Sequence, residues 1–113
     1  MSNKFNAKKI IIDGIKFDSK KEALYYMQLK AQKKAANLND RVLEIELQPR
    51  FDYKIEYSAN GRTFSKKGFY KADFKVVYHN RIEIIDVKGF KTATYKRKKK
   101  IIEALYLIKI IEV

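Results

Sequence analysis

Apolar and polar positions along the chain change period several times, and each change marks an expected element boundary. Ile10-Ile11-Ile12 and Ile15-Lys16-Phe17 flank Asp13-Gly14, a pair that readily supplies two positive φ angles, so two short strands across a tight turn are expected. Residues 19–36 contain no Gly, Pro or β-branched residue, and Leu24, Met27, Gln28, Ala31 and Ala35 recur at three-to-four spacing. That pattern predicts one amphipathic helix with those residues on its buried side, closed by Asn37 and Asn39-Asp40. Residues 42–48 return to period two, with Leu43, Ile45 and Leu47 opposite Glu44, Glu46 and Gln48, until Pro49 interrupts the ladder. Phe51, Tyr53, Ile55 and Tyr57 alternate toward Asn60-Gly61, a second hairpin turn leading into Thr63 and Phe64. Residues 69–78 and 81–88 read as two further strands joined by His79-Asn80 and ended by Gly89. Thr92 or Thr94 caps a second helix running to about Tyr106, and residues 108–113 read as a last strand.

This order predicts an α+β or α/β chain with a mixed central β-sheet flanked by helices. Residues 1–9 are polar, Lys-rich and without period, which predicts a flexible basic arm ahead of a single domain over 10–113. A chain of 113 residues, 46% of them hydrophobic, suffices for one core and leaves no room for multidomain mechanisms. The absence of Cys excludes thiol nucleophiles, redox pairs and Cys-based zinc sites. The first residues lack a signal-peptide pattern, and the apolar run at 104–108 stops at Lys109, too short to span a bilayer, so a cytoplasmic protein without membrane contact is expected.

Charge bears most directly on function. The formal net charge is +13, carried by 21 Lys and five Arg, far beyond what solubility asks of a small domain, so a polyanionic partner is expected. Lys acts as a point charge toward phosphate whereas Arg reads guanine edges, so contact with a nucleic-acid backbone is favoured over base readout. The densest run is 91–100, where Lys91, Lys96, Arg97, Lys98, Lys99 and Lys100 carry six positive charges with no acid among them. Their mutual repulsion would be relieved by a phosphate backbone, which assigns them to DNA contact rather than to a merely solvated helix face. Tyr95, within that run, is the candidate for base stacking, whereas Tyr25, Tyr26, Tyr53, Tyr57 and Tyr70 are assigned to core packing.

Candidate chemistry sits on the strands before that run. If His79-Asn80 is a two-residue loop, Tyr78 opposes Arg81, Phe74 opposes Ile85, Ala72 opposes Val87, and Asp73 opposes Asp86. Two carboxylates with Cβ atoms about 5 Å apart repel by roughly 3 kcal/mol at an effective dielectric near 20. A divalent cation would neutralise them, and Mg²⁺ or Mn²⁺ with one or two protein carboxylates keeps positions for water and phosphate. Lys88, two residues past Asp86, projects to the same face, where an ammonium can orient water or stabilise charge on phosphate. The plainer reading is a solvated strand face on which Lys88 bridges two acids. His79 lies in the expected turn and is read as structural.

Ala72-Asp73 followed by Ile85-Asp86-Val87-Lys88 resembles the bipartite signature of the PD-(D/E)XK nuclease superfamily. Ser19-Lys20-Lys21-Glu22 resembles the acidic position of that family's first core helix, and the likeness extends to the strand end at Leu47-Gln48-Pro49. Ala72 stands where the name-giving proline would be. The resemblance is closest to small phage-encoded members related to Holliday-junction resolvases. It implies a restriction-endonuclease-like core, Mg²⁺ or Mn²⁺ as cofactor, Glu22, Asp73 and Asp86 as acidic metal-site residues, Lys88 as the catalytic lysine and Gln48 as an accessory residue. It also implies metal-dependent cleavage of DNA, selective for branched structures such as a Holliday junction, in phage recombination or replication and hence in the host cytoplasm. One small domain cutting both strands of a symmetric junction would act as a homodimer. Glu22 has a rival role, because Ser19-x-x-Glu22 is also a capping box. Two rival functions remain: a catalytically inert basic nucleic-acid-binding module, and an RNA-directed or ribosome-associated protein.

Overall fold

The computed structural model describes residues 9–88 and 91–113. The expected basic arm, apart from Lys9, and the strand-ending Gly89 lie outside them. The fold is α+β, with strands β1 (Ile10–Ile12), β2 (Ile15–Phe17), β3 (Glu44–Leu47), β4 (Arg50–Ala59), β5 (Arg62–Lys71), β6 (Phe74–Val77), β7 (Ile82–Asp86) and β8 (Ile110–Glu112). Helices α1 (Lys20–Gln32) and α2 (Ala93–Tyr106) complete it. β1 and β2 form one two-stranded sheet, β4 and β5 another, and the remaining strands a four-stranded sheet in the order β3-β6-β7-β8, with β7 and β8 parallel. Among the described residues, no helix is long and apolar enough to cross a membrane.

The chain divides into two compact units, one of residues up to 45 with 76–82, the other of residues 46–75 with 83–113. In the first, Asp13-Gly14 takes φ of 54° and 76°, and β1 pairs with β2 from Ile12↔Ile15 outward, as expected of this turn. Ser19 caps α1 by accepting from the Glu22 N–H at 3.1 Å. The buried stripe of α1 is Ala23, Tyr26 and Leu29, whereas Leu24 and Met27 are exposed. The expected face is therefore rotated, because the aromatic Tyr26 packs on Phe17 with ring centroids 5.0 Å apart and takes the inward position. The helix also ends at Gln32 rather than near Ala36. The N–H groups of Lys33, Lys34 and Ala35 bond three residues back, and the Arg41 guanidinium takes the Ala35 carbonyl at 2.9 Å. His79 sits in an exposed bend, 2.6 Å from the Asn39 amide oxygen.

In the second unit, Asn60-Gly61 takes φ of 52° and 73° and closes the β4-β5 hairpin, whose register runs from Ala59↔Arg62 to Arg50↔Lys71. The core gathers Tyr53, Tyr70, Ala72, Ile84, Tyr95, Ile102 and Ile110. Gly68 fits there because the Tyr53 ring lies across its partner strand, and a Cβ would overlap the Tyr53 ring and hydroxyl. Thr92, not Thr94, caps α2 by accepting from the Tyr95 N–H at 3.0 Å.

Candidate active site

The site begins with a bend shared by two antiparallel strands. Between β3 and β4 stand Gln48 and Pro49, and between β5 and β6 stand Ala72 and Asp73. The Ala72 N–H donates to the Pro49 carbonyl at 3.1 Å and the Gln48 N–H to the Asp73 carbonyl at 3.0 Å, so pairing continues through the bend. Gln48 achieves it at φ 50°, in the left-handed region. The expectation that Gln48 lies within a regular strand is thus corrected: its backbone makes the bend, and its side chain is exposed.

The bend changes how Asp73 meets β7. The Tyr78 N–H donates to the Arg81 carbonyl at 2.8 Å, as the expected loop requires. At the other end, however, the Asp73 N–H donates to the Ile85 carbonyl at 3.0 Å, and the Asp73 Oδ2 accepts from the Val87 N–H at 2.7 Å. The side chain has replaced a backbone carbonyl in the ladder, so the uninterrupted register does not reach this far. Asp73 is still bonded to both neighbours of Asp86, and its carboxylate is fixed by a charge-assisted bond.

Asp86 ends β7 with 0% of its surface exposed. Its Oδ2 accepts from the Tyr70 hydroxyl. Its Oδ1 is buried and accepts no hydrogen bond; the Lys88 Nζ stands 3.4 Å away, an ion-pair separation without an aligned bond. Burial, and then the bond to Asp86, push the Tyr70 phenol well above its ordinary pKa, so it remains a donor. The Lys88 side chain is 28% exposed and its ammonium lies 4.6 Å from the centroid of the Tyr95 ring. Lys88 thus stands beside Asp86, Tyr70 holds the buried acid, and Asp73 is tied to the backbone on either side of it.

Tyr95 is not an exposed stacking ring. It is 8% exposed, packs 6.2 Å from Tyr70, and donates its hydroxyl to Glu112 Oε2 at 2.8 Å. The helix period decides this: Tyr95 falls seven residues before the fully buried Ile102, on the inward side of α2. Burial and the Glu112 bond raise its pKa as well.

Glu112 also revises the reading of the basic run. It lies beside Asp86 in the parallel β7-β8 register, and its Oε1 is 3.1 Å from Lys91 Nζ and 3.6 Å from Lys99 Nζ. The run therefore has one acidic partner supplied from a distant strand. Lys91, Lys96, Lys99 and Lys100 border, with Glu103 and Glu112, a cleft of about 310 Å³. The Tyr95 hydrogen bond, then the Lys91 bond, hold the Glu112 carboxyl below the ordinary glutamate value of 4.5. A depressed folded-state pKa contributes stability at pH values above the unfolded value and loses it as pH falls through the folded one. Glu112→Gln should accordingly melt below wild type at neutral pH, and the gap should narrow as pH falls below about 4.5 in a series of thermal melts. A constant gap across that range would remove the ionic role of Glu112.

Glu22 belongs to the first unit, where it is half-buried in the first turn of α1 and makes one half of the capping box through its backbone. Ser19→Ala should cost about 1 kcal/mol in denaturant unfolding. Glu22→Gln preserves a side chain able to complete the box, so pure capping predicts a melting temperature close to wild type, in contrast to Ser19→Ala.

Among the described residues, no three His, Asp or Glu side chains form a metal-holding group. The fit to a cation rests instead on Asp86 and Asp73. A buried carboxylate oxygen without a hydrogen bond is the donor such an ion would use, and two carboxylates match Mg²⁺, which keeps several waters. Tyr70 and Glu112 escape a reading of sequence alone. Tyr70 alternates among core aromatics, and Glu112 sits in an apolar strand, where a lone acid among Ile110, Ile111 and Val113 was the available signal.

Fold and site together define a small α+β protein with a buried acid, a second acid and a lysine at one strand end, followed by a basic helix. Residues 2–110 match a family described as a protein of unknown function, DUF1064, and the chain belongs to that family. No curated protein and no solved structure matches it.

Proposed function

We propose that this protein is a metal-dependent DNA endonuclease of the PD-(D/E)XK type, acting on branched DNA such as a four-way junction. The observation that carries the reading is Asp86: a fully buried carboxylate with one oxygen held by Tyr70 and the other without a hydrogen bond, beside Asp73 and Lys88. A structural acid would have both oxygens satisfied.

Asp86 and Asp73 would hold Mg²⁺ or Mn²⁺, which supplies Lewis acidity and a bound water of lowered pKa. Tyr70 keeps Asp86 in one orientation, and the Val87 N–H does the same for Asp73. Lys88, its stem against Tyr95, presents an ammonium that orients the attacking water and stabilises the charge developing on the phosphate oxygens. Hydrolysis would join the water oxygen to phosphorus as a phosphorus–oxygen ester bond breaks, with one water proton passing by way of solvent to the departing oxygen, leaving one phosphate end and one hydroxyl end. Lys91, Lys96, Arg97, Lys98, Lys99 and Lys100 hold the DNA backbone. The setting is the cytoplasm, that of the host where the gene is carried by a phage. On a symmetric junction two copies act together, which sedimentation of the protein on an uncleaved junction would register as a dimer.

The test is incubation with supercoiled, linear and four-way-junction DNA in Mg²⁺, Mn²⁺ or EDTA. Cleavage that requires the metal supports the reading. Tight binding without cleavage in any metal replaces it with the inert basic module, and preference for RNA replaces both. For the basic helix, Lys96→Gln with Lys100→Gln should lower the slope of log affinity against log salt by roughly 1–2. An unchanged slope returns these lysines to a solvated face.

A further inference from the structure

The outer half of the β4-β5 hairpin carries a feature the candidate active site does not use. Residues at Tyr57↔Phe64 are directly opposed in the register, and their rings stack with centroids 5.4 Å apart and planes 20° from parallel. Both are exposed, Tyr57 by 51% and Phe64 by 40%. The assignment of Tyr57 to the core is thereby corrected: alternation places it on the same face as Tyr53, but the strand has by then run past the material that buries Tyr53. Two large rings in water at the end of a two-stranded ribbon are costly unless they meet something.

The surrounding charge selects the occupant. Lys54, Arg62, Lys66 and Lys67 stand along this part of the ribbon against the single acid Glu56, which pairs with Lys54 at 3.4 Å. Arg62 and Lys66 lie on the same face as the rings, one at each neighbouring pair of the register. A second copy of so basic a ribbon would be repelled, whereas a polyanion would be drawn in. Flat aromatic faces flanked by cations match a phosphate backbone whose bases are unpaired, since every base has a face to stack.

We infer that Tyr57 and Phe64, flanked by Arg62 and Lys66, form a platform for unpaired bases of DNA, so that the hairpin recognises branch points and openings in a duplex. This rests on the proposed function and names the substrate feature that the same unit would read. The position is consistent with that role. Phe64 precedes Tyr70 by six residues on β5, so the platform lies roughly 20 Å along the strand from the residue that holds Asp86, about six steps of a nucleic-acid strand.

The experiment measures fluorescence anisotropy in EDTA, so that cleavage plays no part, with three DNAs of equal length: a perfect duplex, a duplex with a central unpaired bubble, and a four-way junction. Tyr57→Ala/Phe64→Ala should weaken binding to the bubble and junction by about tenfold or more, and binding to the duplex by no more than about twofold. Tyr57→Leu/Phe64→Leu, which keeps apolar packing across the strands but loses the flat faces, should do the same with an unchanged melting temperature. Quenching of 2-aminopurine in the bubble by wild type, absent in both variants, is the direct readout. Equal losses on all three DNAs, or none, overturn the platform. So does wild type that sediments as a dimer without DNA while the variants are monomers, because the rings would then belong to a contact between copies. If wild type binds no DNA at all, the endonuclease reading falls too; if it discriminates the bubble through these rings but never cleaves, the platform stands and that reading fails.

Discussion

Asp86→Asn is expected to abolish cleavage while leaving a folded protein that binds DNA at least as well as wild type. The amide oxygen can still accept from Tyr70, so the contact that positions the side chain survives. What disappears is a buried negative charge whose Oδ1 makes no hydrogen bond and is compensated by the Lys88 ammonium, which at 28% side-chain exposure can turn to water once the charge is gone. In EDTA the variant should therefore melt no lower than wild type. Mg²⁺ or Mn²⁺ at a hundred times its dissociation constant should stabilise wild type by about 2.7 kcal/mol and the variant much less. The melts are best repeated with an uncleavable DNA, whose phosphate completes the site. Loss of several kcal/mol of transition-state stabilisation corresponds to a rate lower by about a thousandfold or more. Removing one negative charge near the scissile phosphate favours binding of the polyanion. Cleavage near the wild-type rate would defeat the endonuclease assignment and leave the inert basic module as the better account.

The closure of the β6-β7 hairpin was legible because register is an arithmetic property: the Tyr78–Arg81 pair forms as the two-residue loop requires, and the segments carrying Asp73 and Asp86 run side by side. What register could not show is that Asp73 arrives through a bend, with its own carboxylate inserted in the ladder. That depends on Gln48 adopting a left-handed conformation beside Pro49, a local choice made by tertiary pairing rather than by propensity. The two hairpin turns were legible because Asp13-Gly14 and Asn60-Gly61 carry their conformational preference in the residues themselves. The buried side of α1 was not. Leu24 and Met27 lose the core to Ala23, Tyr26 and Leu29, since alternative stripes about one residue apart differ little in apolar content and packing of Tyr26 on Phe17 decides between them. Burial of Tyr95 and exposure of Tyr57 reversed for a related reason: sequence says that a ring alternates with polar residues, not where the packed part of a strand or helix ends. Ion pairs from Glu112 to Lys91 and Lys99 join residues 21 and 13 positions apart, beyond any local pattern of charge.

Lys88→Met separates a catalytic lysine from a mere partner of Asp86, because the two roles predict different responses to metal. The substitution keeps an unbranched stem to lie against Tyr95 and removes the ammonium 3.4 Å from Asp86 Oδ1. With no cation beside it, the buried carboxylate is left uncompensated, so unfolding in EDTA should become easier by about 1–3 kcal/mol. The ammonium and a divalent ion would compete for that same oxygen. Removing the ammonium should therefore tighten Mn²⁺ binding, and the melting temperature should rise more on adding Mn²⁺ than in wild type. A lysine that only neutralises Asp86 would then be dispensable whenever metal is bound, and the metal-saturated variant would cleave normally. A lysine that orients the attacking water and stabilises charge on phosphate would not be replaced, and cleavage should stay at least about a hundredfold below wild type at saturating Mn²⁺. Lys88→Arg should restore stability in EDTA but not the rate, since a planar, strongly basic guanidinium does not reproduce the compact ammonium. Tighter metal binding with slow cleavage is the combination expected, and full activity of Lys88→Met in saturating metal would reduce Lys88 to the counter-ion of a buried acid.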